Sequence, residues 1–422
     1  MEQHIRKTVL PSGLTVVTEE MNYVRSVSLG IWVRSGSRHE PIEQSGISHF
    51  IEHMLFKGTQ HRSTQEIAFE TDLLGGNLDA FTSYECVGYS TKVLDEHVPR
   101  AFELAADLVS APLFDPADIA KERQVILEEI KMIEDAPDEL ATEVFLKNFW
   151  LDHRLGTPIS GTEESIAMIT REDLLAYWRQ VYTPANLVVS AAGCVNHDDV
   201  VEMADHQLGQ LANSGYHPSD TRPVASVSIV IHPKDHLEQA QVLLGAECPP
   251  LRSKDHFPLL ILNTILGGGV SSRLFLKIRE EHGLAYAIES APLLFTDAGV
   301  FAVHAATSPE KVETLIDLTV AELHRLKVEP PPPPELERAQ GLVKASLMLS
   351  LDSSSARMSQ LARHEIFFGR QFTADETLRE VEAVTAHDVQ RVANEIFRPE
   401  ALALVVVGFV NALRFERAQL AC

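Results

Sequence analysis

With 422 residues, 45% of them apolar and 23% charged, the chain has material for a large buried core in two or three domains of about 150 residues, which excludes global disorder. No run approaches about 18 uninterrupted apolar residues, so a membrane-spanning helix is excluded; the nearest candidate, Ala401 to Val407, has the length of a buried strand. Thirty-six Lys and Arg against 60 Asp and Glu leave a formal charge of −24 with no basic patch, which argues against nucleic acid and would attract basic peptides, although acidity also serves solubility alone.

Met1 to His4 lead straight into strand-like sequence, with neither an apolar secretory segment nor an Arg- and Ser-rich leader. A cytoplasmic location is expected, with the mitochondrial matrix as the alternative. Thr8 to Glu19 reads as two strands broken at Pro11-Ser12-Gly13. From Val27 to Val33, Val27, Leu29, Ile31 and Val33 alternate with Ser28, Gly30 and Trp32, the pattern of a half-buried strand. A helix is expected from about Ser45 to Phe56. A second opens on the capping box Ser63-Thr64-Gln65-Glu66 and stops at Gly75-Gly76. Strands follow at Leu78 to Ser83 and Val87 to Val93, then helices over Glu96 to Ser110 and Pro116 to Glu134. Pro330 to Pro334 reads as a stiff loop between the helices Pro309 to Lys327 and the one from Glu335.

The chain also repeats itself. Pro184, Leu187, Gly193 and Val195 recur as Pro399, Leu402, Gly408 and Val410, each set following a helix-like segment, Glu172 to Val181 and Ala386 to Ile396. A repeat of about half the chain favours duplication. The boundary is placed in the polar stretch Asn213 to Arg222, giving domains 1–213 and 222–422. Cys86, Cys194, Cys248 and Cys422 are far apart and form no C-x-x-C pair, which argues against a disulfide scaffold and against thiolate zinc.

His49-Phe50-Ile51-Glu52-His53 carries the chemistry. On a helix the two imidazoles stand roughly 40° apart and Glu52 about 60° to the other side of His49, so all three can serve one site. Two neutral imidazoles suit zinc, and a carboxylate beside them that does not ligate can take a proton from water. This is the inverted, H-x-x-E-H order of the zinc-protease motif, and random placement in this composition predicts roughly 0.07 occurrences. A catalytic zinc site needs a third protein ligand. Glu122 and Glu129, two turns apart on one face of the Pro116 to Glu134 helix with Val125 and Ile126 between them, are the best candidates. Spacing alone leaves Glu122, Glu128 and Glu129 all open.

Together with Leu10-Pro11-Ser12-Gly13-Leu14, Gly36-Ser37-Arg38-His39-Glu40, Gly46 to Met54, and Glu122 to Glu129, this motif makes nearly the whole chain resemble the pitrilysin and insulin-degrading group of zinc peptidases. The likeness is greatest to the mitochondrial processing peptidase branch and its bacterial homologues. The resemblance implies one Zn²⁺ per chain held by His49, His53 and Glu129, with Glu52 as general base and Glu122 orienting a ligand from behind. It implies that Asp79, Ala80, Phe81 and Thr82 lie on an edge strand where substrate backbone adds. Relatives commonly have Asn at the position of Asp79, a change that strand pairing tolerates because the backbone supplies the bonds. It further implies that Gly267 to Gly269 form a glycine loop and that Arg279 and Tyr286 hold the scissile carbonyl. Read without the family, these would be a helix stop, a solvated charge and a core ring.

The fold implied is α+β, two related domains, each a mainly antiparallel sheet packed with helices. The second half has no H-x-x-E-H, so one active site per chain follows. The function implied is a zinc endopeptidase acting on peptides or unfolded segments, working as a homodimer or as a hetero-oligomer with a related chain. The alternative is a non-catalytic partner or structural subunit of a peptidase-like complex.

Overall fold

The structure, a computed structural model, describes residues 4–410 and 413–421. Met1 to Gln3 and Cys422, used in the leader and cysteine readings, lie outside the described residues. In chain order come β1 (His4–Val9), β2 (Thr15–Glu20), β3 (Ser26–Val33), α1 (Ile47–Leu55), α2 (Thr64–Leu73), β4 (Leu78–Thr82) and β5 (Val87–Leu94). There follow α3 (Val98–Ser110), α4 (Pro116–Asp135), α5 (Pro137–Phe149), α6 (Glu163–Met168), α7 (Arg171–Val181), β6 (Leu187–Gly193) and α8 (His197–Gln207). The second half adds β7 (Ile229–Pro233), β8 (Ala240–Glu247), α9 (His256–Leu266), β9 (Ala285–Leu294), β10 (Gly299–Thr307), α10 (Val312–Val328) and α11 (Pro333–Ser350). It ends with α12 (Ser354–Phe368), α13 (Ala374–Ala383), α14 (Ala386–Ile396) and β11 (Ala403–Gly408). Among the described residues no helix is long and apolar enough to cross a membrane.

These elements form two compact units. One holds the chain up to Lys131, Pro158–Asp220 and Leu349–Thr373; the other holds Met132–Thr157, Thr221–Met348 and the chain from Ala374. The passage between Asp220 and Thr221 lies in the polar stretch read as a boundary. Each unit also takes a helical segment from the other half, α5 in one direction and α12 in the other. An amphipathic pattern shows that a helix covers something, not which sheet it covers, so these excursions have no signal in the sequence.

The two units are built alike. The first has the sheet order β1-β2-β6-β3-β5-β4 and the second β7-β11-β8-β10-β9, so that β7, β11, β8, β10 and β9 stand where β2, β6, β3, β5 and β4 do. Both are antiparallel except for one parallel pair, β2 with β6 and β7 with β11. The sequence repeat falls at corresponding places. Helices α7 and α14 each begin with a capping box, Thr170 with Asp173 and Thr385 with Asp388, and each is followed by a 3₁₀ turn at Pro184 or Pro399. The strands β6 and β11 then end on Gly193 and Gly408, at φ 131° and 146°, which L side chains rarely adopt. Both glycine carbonyls accept from the residue two positions on, Val195 and Val410, at 2.9 Å. The fold is α+β with two related units.

Strand β3 departs from its half-buried pattern. Val27, Leu29, Ile31 and Val33 enter the first core as expected, but the opposite face is buried too, because α12 lies across β2, β3 and β6. Its polar groups are satisfied there: Ser28 bonds Ser354 at 2.9 Å, and the Trp32 indole N–H donates to Ser190 Oγ at 2.8 Å. Buried charges fix where α12 sits. The Arg357 guanidinium pairs with Glu19, both buried, and Glu365 takes Lys7 at 2.7 Å and Arg34 at 3.4 Å. Removing one member of such a pair costs more than the pair itself contributes.

His364, on the same helix, packs against the rings of Phe368 and Phe372, and its Nδ1 accepts the Phe372 N–H at 3.4 Å. Burial, followed by the nearby Arg357 charge, lowers its pKa to about 4. The folded state therefore refuses a proton that the unfolded chain accepts near pH 6.5, and stability is lost as pH falls through that window towards 4. At full effect the loss is about 3.5 kcal/mol, at about 1.4 kcal/mol per pKa unit over the fall from 6.5 to about 4. Relative to His364→Gln, the wild-type urea midpoint should fall as pH is lowered from 7 to 4.5; parallel midpoints would remove His364 from the account.

Candidate metal centre

The site begins with the rotation of α1 about its axis. Ile47, Phe50, Ile51, Met54 and Leu55 are buried in the first core, which turns His49, Glu52 and His53 to the other side. The two imidazole rings stand 4.5 Å apart, centroid to centroid, as the one-turn spacing requires. The start of the helix is held by a residue outside it. Glu40 is buried, and its carboxylate accepts the backbone N–H groups of Gly46 and Ser48, each at 2.8 Å. A carboxylate here also faces the positive end of the helix dipole.

Helix α4 brings the glutamates. Glu129 Oε2 stands 3.2 Å from His49 Nε2 and 3.5 Å from His53 Nε2. Glu122, the one buried charge on α4, places Oε2 3.2 Å from His53 Nδ1 and Oε1 2.7 Å from Lys57 Nζ. It thus meets the back of the imidazole whose Nε2 faces Glu129. Glu128 points away and pairs with Lys131 at 2.8 Å. Ile126 is fully buried, but Val125 is 43% exposed, so only one of the two apolar residues expected between the glutamates lies on their inner side. Arg123 braces the helix, lying over the Phe50 ring at 5.5 Å and donating to the carbonyls of Ile166 and Ile169.

One donor atom from each of His49, His53 and Glu129 lies within 4.8 Å of the others, the one such group of His, Cys, Asp or Glu among the described residues. Two imidazoles and a carboxylate make the donor set of a zinc site that leaves room for a fourth partner. The residues present fit the metal. Glu52 stays outside this group, with Oε2 3.8 Å from His49 Nδ1. At His49, burial pulls the pKa down, but the bonds and charges of Glu52 and Glu129 outweigh it and leave it above its ordinary value.

Beside this centre runs β4, the last strand of its sheet, paired to β5 on one side only. Leu78, Ala80 and Thr82 lie on its inner side, and Thr82 Oγ1 donates to Glu52 Oε2 at 2.5 Å. Asp79 and Phe81 are exposed on the other face, with the Phe81 ring edge-on to Trp32 at 5.5 Å. In the second unit, Arg279 sits on a π-helical turn, Phe275–Glu281, with its guanidinium between the rings of Phe275, at 4.6 Å, and Tyr286, at 4.7 Å. Tyr286 is 81% exposed on β9, so it is not a core ring. Gly267 does end α9, in a close approach to Ser290 of β9.

Sequence reasoning missed what 36–40 does. The N–H groups of Ser37 and Arg38 donate to the carbonyls of Ser83 and Tyr84, at 3.0 and 2.9 Å, and Arg38 forms a buried pair with Glu85 at 2.6 Å. A side chain at Gly36 would strike the Ser83 carbonyl. Five residues therefore clamp the β4–β5 hairpin at one end and, through Glu40, hold α1 at the other. The burial of Arg38 and Glu40 emerges only in the fold, and no local pattern in the motif signals it.

This is a duplicated α+β protein with, among the described residues, one candidate zinc centre, carried by its first unit. The chain belongs to peptidase family M16. The model described as Insulinase (Peptidase family M16) matches residues 15–163, and that described as Peptidase M16 inactive domain matches residues 168–342. An "uncharacterized zinc protease" of Bacillus subtilis is 37% identical over 95% of this chain and 98% of its own. One of Mycobacterium tuberculosis is 38% identical over 93% of this chain and 90% of its own. Among solved structures, a protease from Helicobacter pylori superimposes with TM-score 0.91 at 25% identity, over 96% of this chain and all of that one. A chain of Complex III2 from Candida albicans shares the fold at TM-score 0.86 and 20% identity, over 99% of this chain and all of that one.

Glu40→Ala would leave two N–H groups at the start of α1 without acceptors, at a cost of about 2–4 kcal/mol. The thermal midpoint should fall by several degrees and zinc affinity should weaken with it, whereas Glu40→Gln, which keeps one acceptor, should lose about half as much. Unchanged zinc affinity in Glu40→Ala would separate the cap from the metal centre.

Proposed function

We propose that the chain is a zinc-dependent endopeptidase of the inverted H-x-x-E-H type, with His49, His53 and Glu129 holding one ion and Glu52 as general base. The observation that carries this reading is the convergence of those three donors with a fourth, non-ligating carboxylate beside them. Zinc, when bound, would supply Lewis acidity, polarising a carbonyl and lowering the pKa of water towards neutrality. Glu52 takes a proton from the attacking water and can return it to the leaving amine. Glu122, itself held by Lys57, fixes the orientation and tautomer of His53. The open edge of β4 offers backbone donors and acceptors from Asp79 to Thr82 to an extended peptide, so unfolded segments would be preferred over folded ones. Arg279 and Tyr286 are assigned to the scissile carbonyl, supported by the family resemblance and by a guanidinium already ordered between two rings.

Basic peptides suit the charge of −24. A homodimer, or a pair formed with a related chain, is what the resemblance implies. The second reading, a non-catalytic subunit, is supported by the fold shared with the Complex III2 chain. Against it, His49, Glu52, His53 and Glu129 are all present here, and the stretch matching the inactive-domain model is the one without the motif.

Glu52→Gln should keep zinc and lose about 10²–10⁴-fold in turnover, while His53→Ala should lose both metal and activity. Metal content and cleavage of a quenched fluorescent peptide, with and without chelator, decide it. Wild-type turnover in Glu52→Gln would remove the general base, and metal-free, chelator-insensitive wild-type protein would favour the subunit reading.

A further inference from the structure

On the reading of Glu52 as general base, we propose that Thr82 is its positioning residue, and that the strand offered to substrate is thereby also the strand that aims the base. Among the described residues, both polar contacts of the Glu52 carboxylate fall on one oxygen. Thr82 Oγ1 donates to Oε2 at 2.5 Å, and His49 Nδ1 stands 3.8 Å from the same atom. The other oxygen, Oε1, is left for the proton of the attacking water.

Three features make Thr82 a fixed donor. Its β-branched side chain has few rotamers in a strand. Its backbone is in register opposite Val87, one residue before a hairpin that Ser83 ties to Cys86 through Oγ. That hairpin is in turn gripped by Ser37, Arg38 and the Arg38–Glu85 pair, while Glu40 in the same segment fixes the helix that bears Glu52. Donor and acceptor are thus mounted on two elements with one common anchor. A hydroxyl that only satisfied the sheet could have bonded a neighbouring carbonyl; this one reaches to a carboxylate 30 residues earlier in the chain. Misplacing a reacting group by about 1 Å can cost 10²-fold in rate, which sets the scale of what one such bond protects.

The test uses Thr82→Val, which keeps shape and branching but removes the donor, and Thr82→Ser, which keeps the donor. Thr82→Val should lower kcat roughly 10- to 100-fold with KM within about twofold and zinc content unchanged. Thr82→Ser should retain kcat within about threefold. In a Glu52→Gln background, Thr82→Val should lower the residual rate no further, because residues acting as one unit are not additive. Binding of an uncleaved peptide to the Glu52→Gln protein should be the same with and without Thr82→Val. Wild-type kcat in Thr82→Val beside an inactive Glu52→Gln would overturn the proposal and leave the peptidase reading intact. Equal damage in Val and Ser, or loss of zinc or peptide binding in Thr82→Val, would also overturn it, by making the residue structural. A wild-type chain without chelator-sensitive cleavage would overturn the peptidase reading and the proposal together.

Discussion

Two histidines on a helix can share an ion only if the helix cannot turn about its own axis. The core side of α1 supplies most of that constraint, and the Glu40 carboxylate supplies the rest by taking two backbone N–H groups at the first turn. Everything else at the centre is referred to this frame. Helix α4 meets it through Glu129 and Glu122, Arg123 ties α4 to the Phe50 ring, and the 36–40 segment carries the same frame to β4. The geometry is preorganised by buried polar groups that are bonded before any metal or peptide arrives, which is how a site avoids reorganisation during reaction.

The duplication shows what a candidate metal centre adds to a fold. Both units have the same strand order, the same parallel pair and the same helix–proline–strand–glycine ending. Helix α9 follows β8 as α1 follows β3, yet its sequence contains no H-x-x-E-H. The scaffold persists with or without the chemistry, so fold alone does not imply activity. The side chains of α1 and α4 distinguish the two units.

Much of this was legible in the sequence because the signals are local. The helix bearing His49 and His53, the capping box at Ser63, the strands flanking the β4–β5 hairpin and the repeat ending at Gly193 and Gly408 depend on neighbours within a few residues. The choice of Glu129 over Glu122 and Glu128 was not legible from spacing, because it depends on how α4 is rotated against α1, a tertiary fact. Val125 illustrates the same limit: its helical phase suggested an inner position, yet it faces outward. The role of Glu40 was hidden because its partners lie six and eight residues ahead, beyond an ordinary capping box. The second buried face of β3 was invisible for a longer-range reason, since α12 comes from the far end of the chain.

That last feature bears on how the protein is made. Ser28 meets Ser354 across 326 positions of sequence, and Trp32, Arg34 and Glu19 lie under the same late helix. A ribosome adding about 5–20 residues per second will have the first sheet and its inner core synthesised well before α12 emerges. For tens of seconds, one side of that sheet, with its indole and unpaired charges, is without its cover. The nascent chain is therefore a natural client for holding factors until nearly the whole polypeptide has been translated, and a fragment ended near residue 220 would keep that bare side permanently.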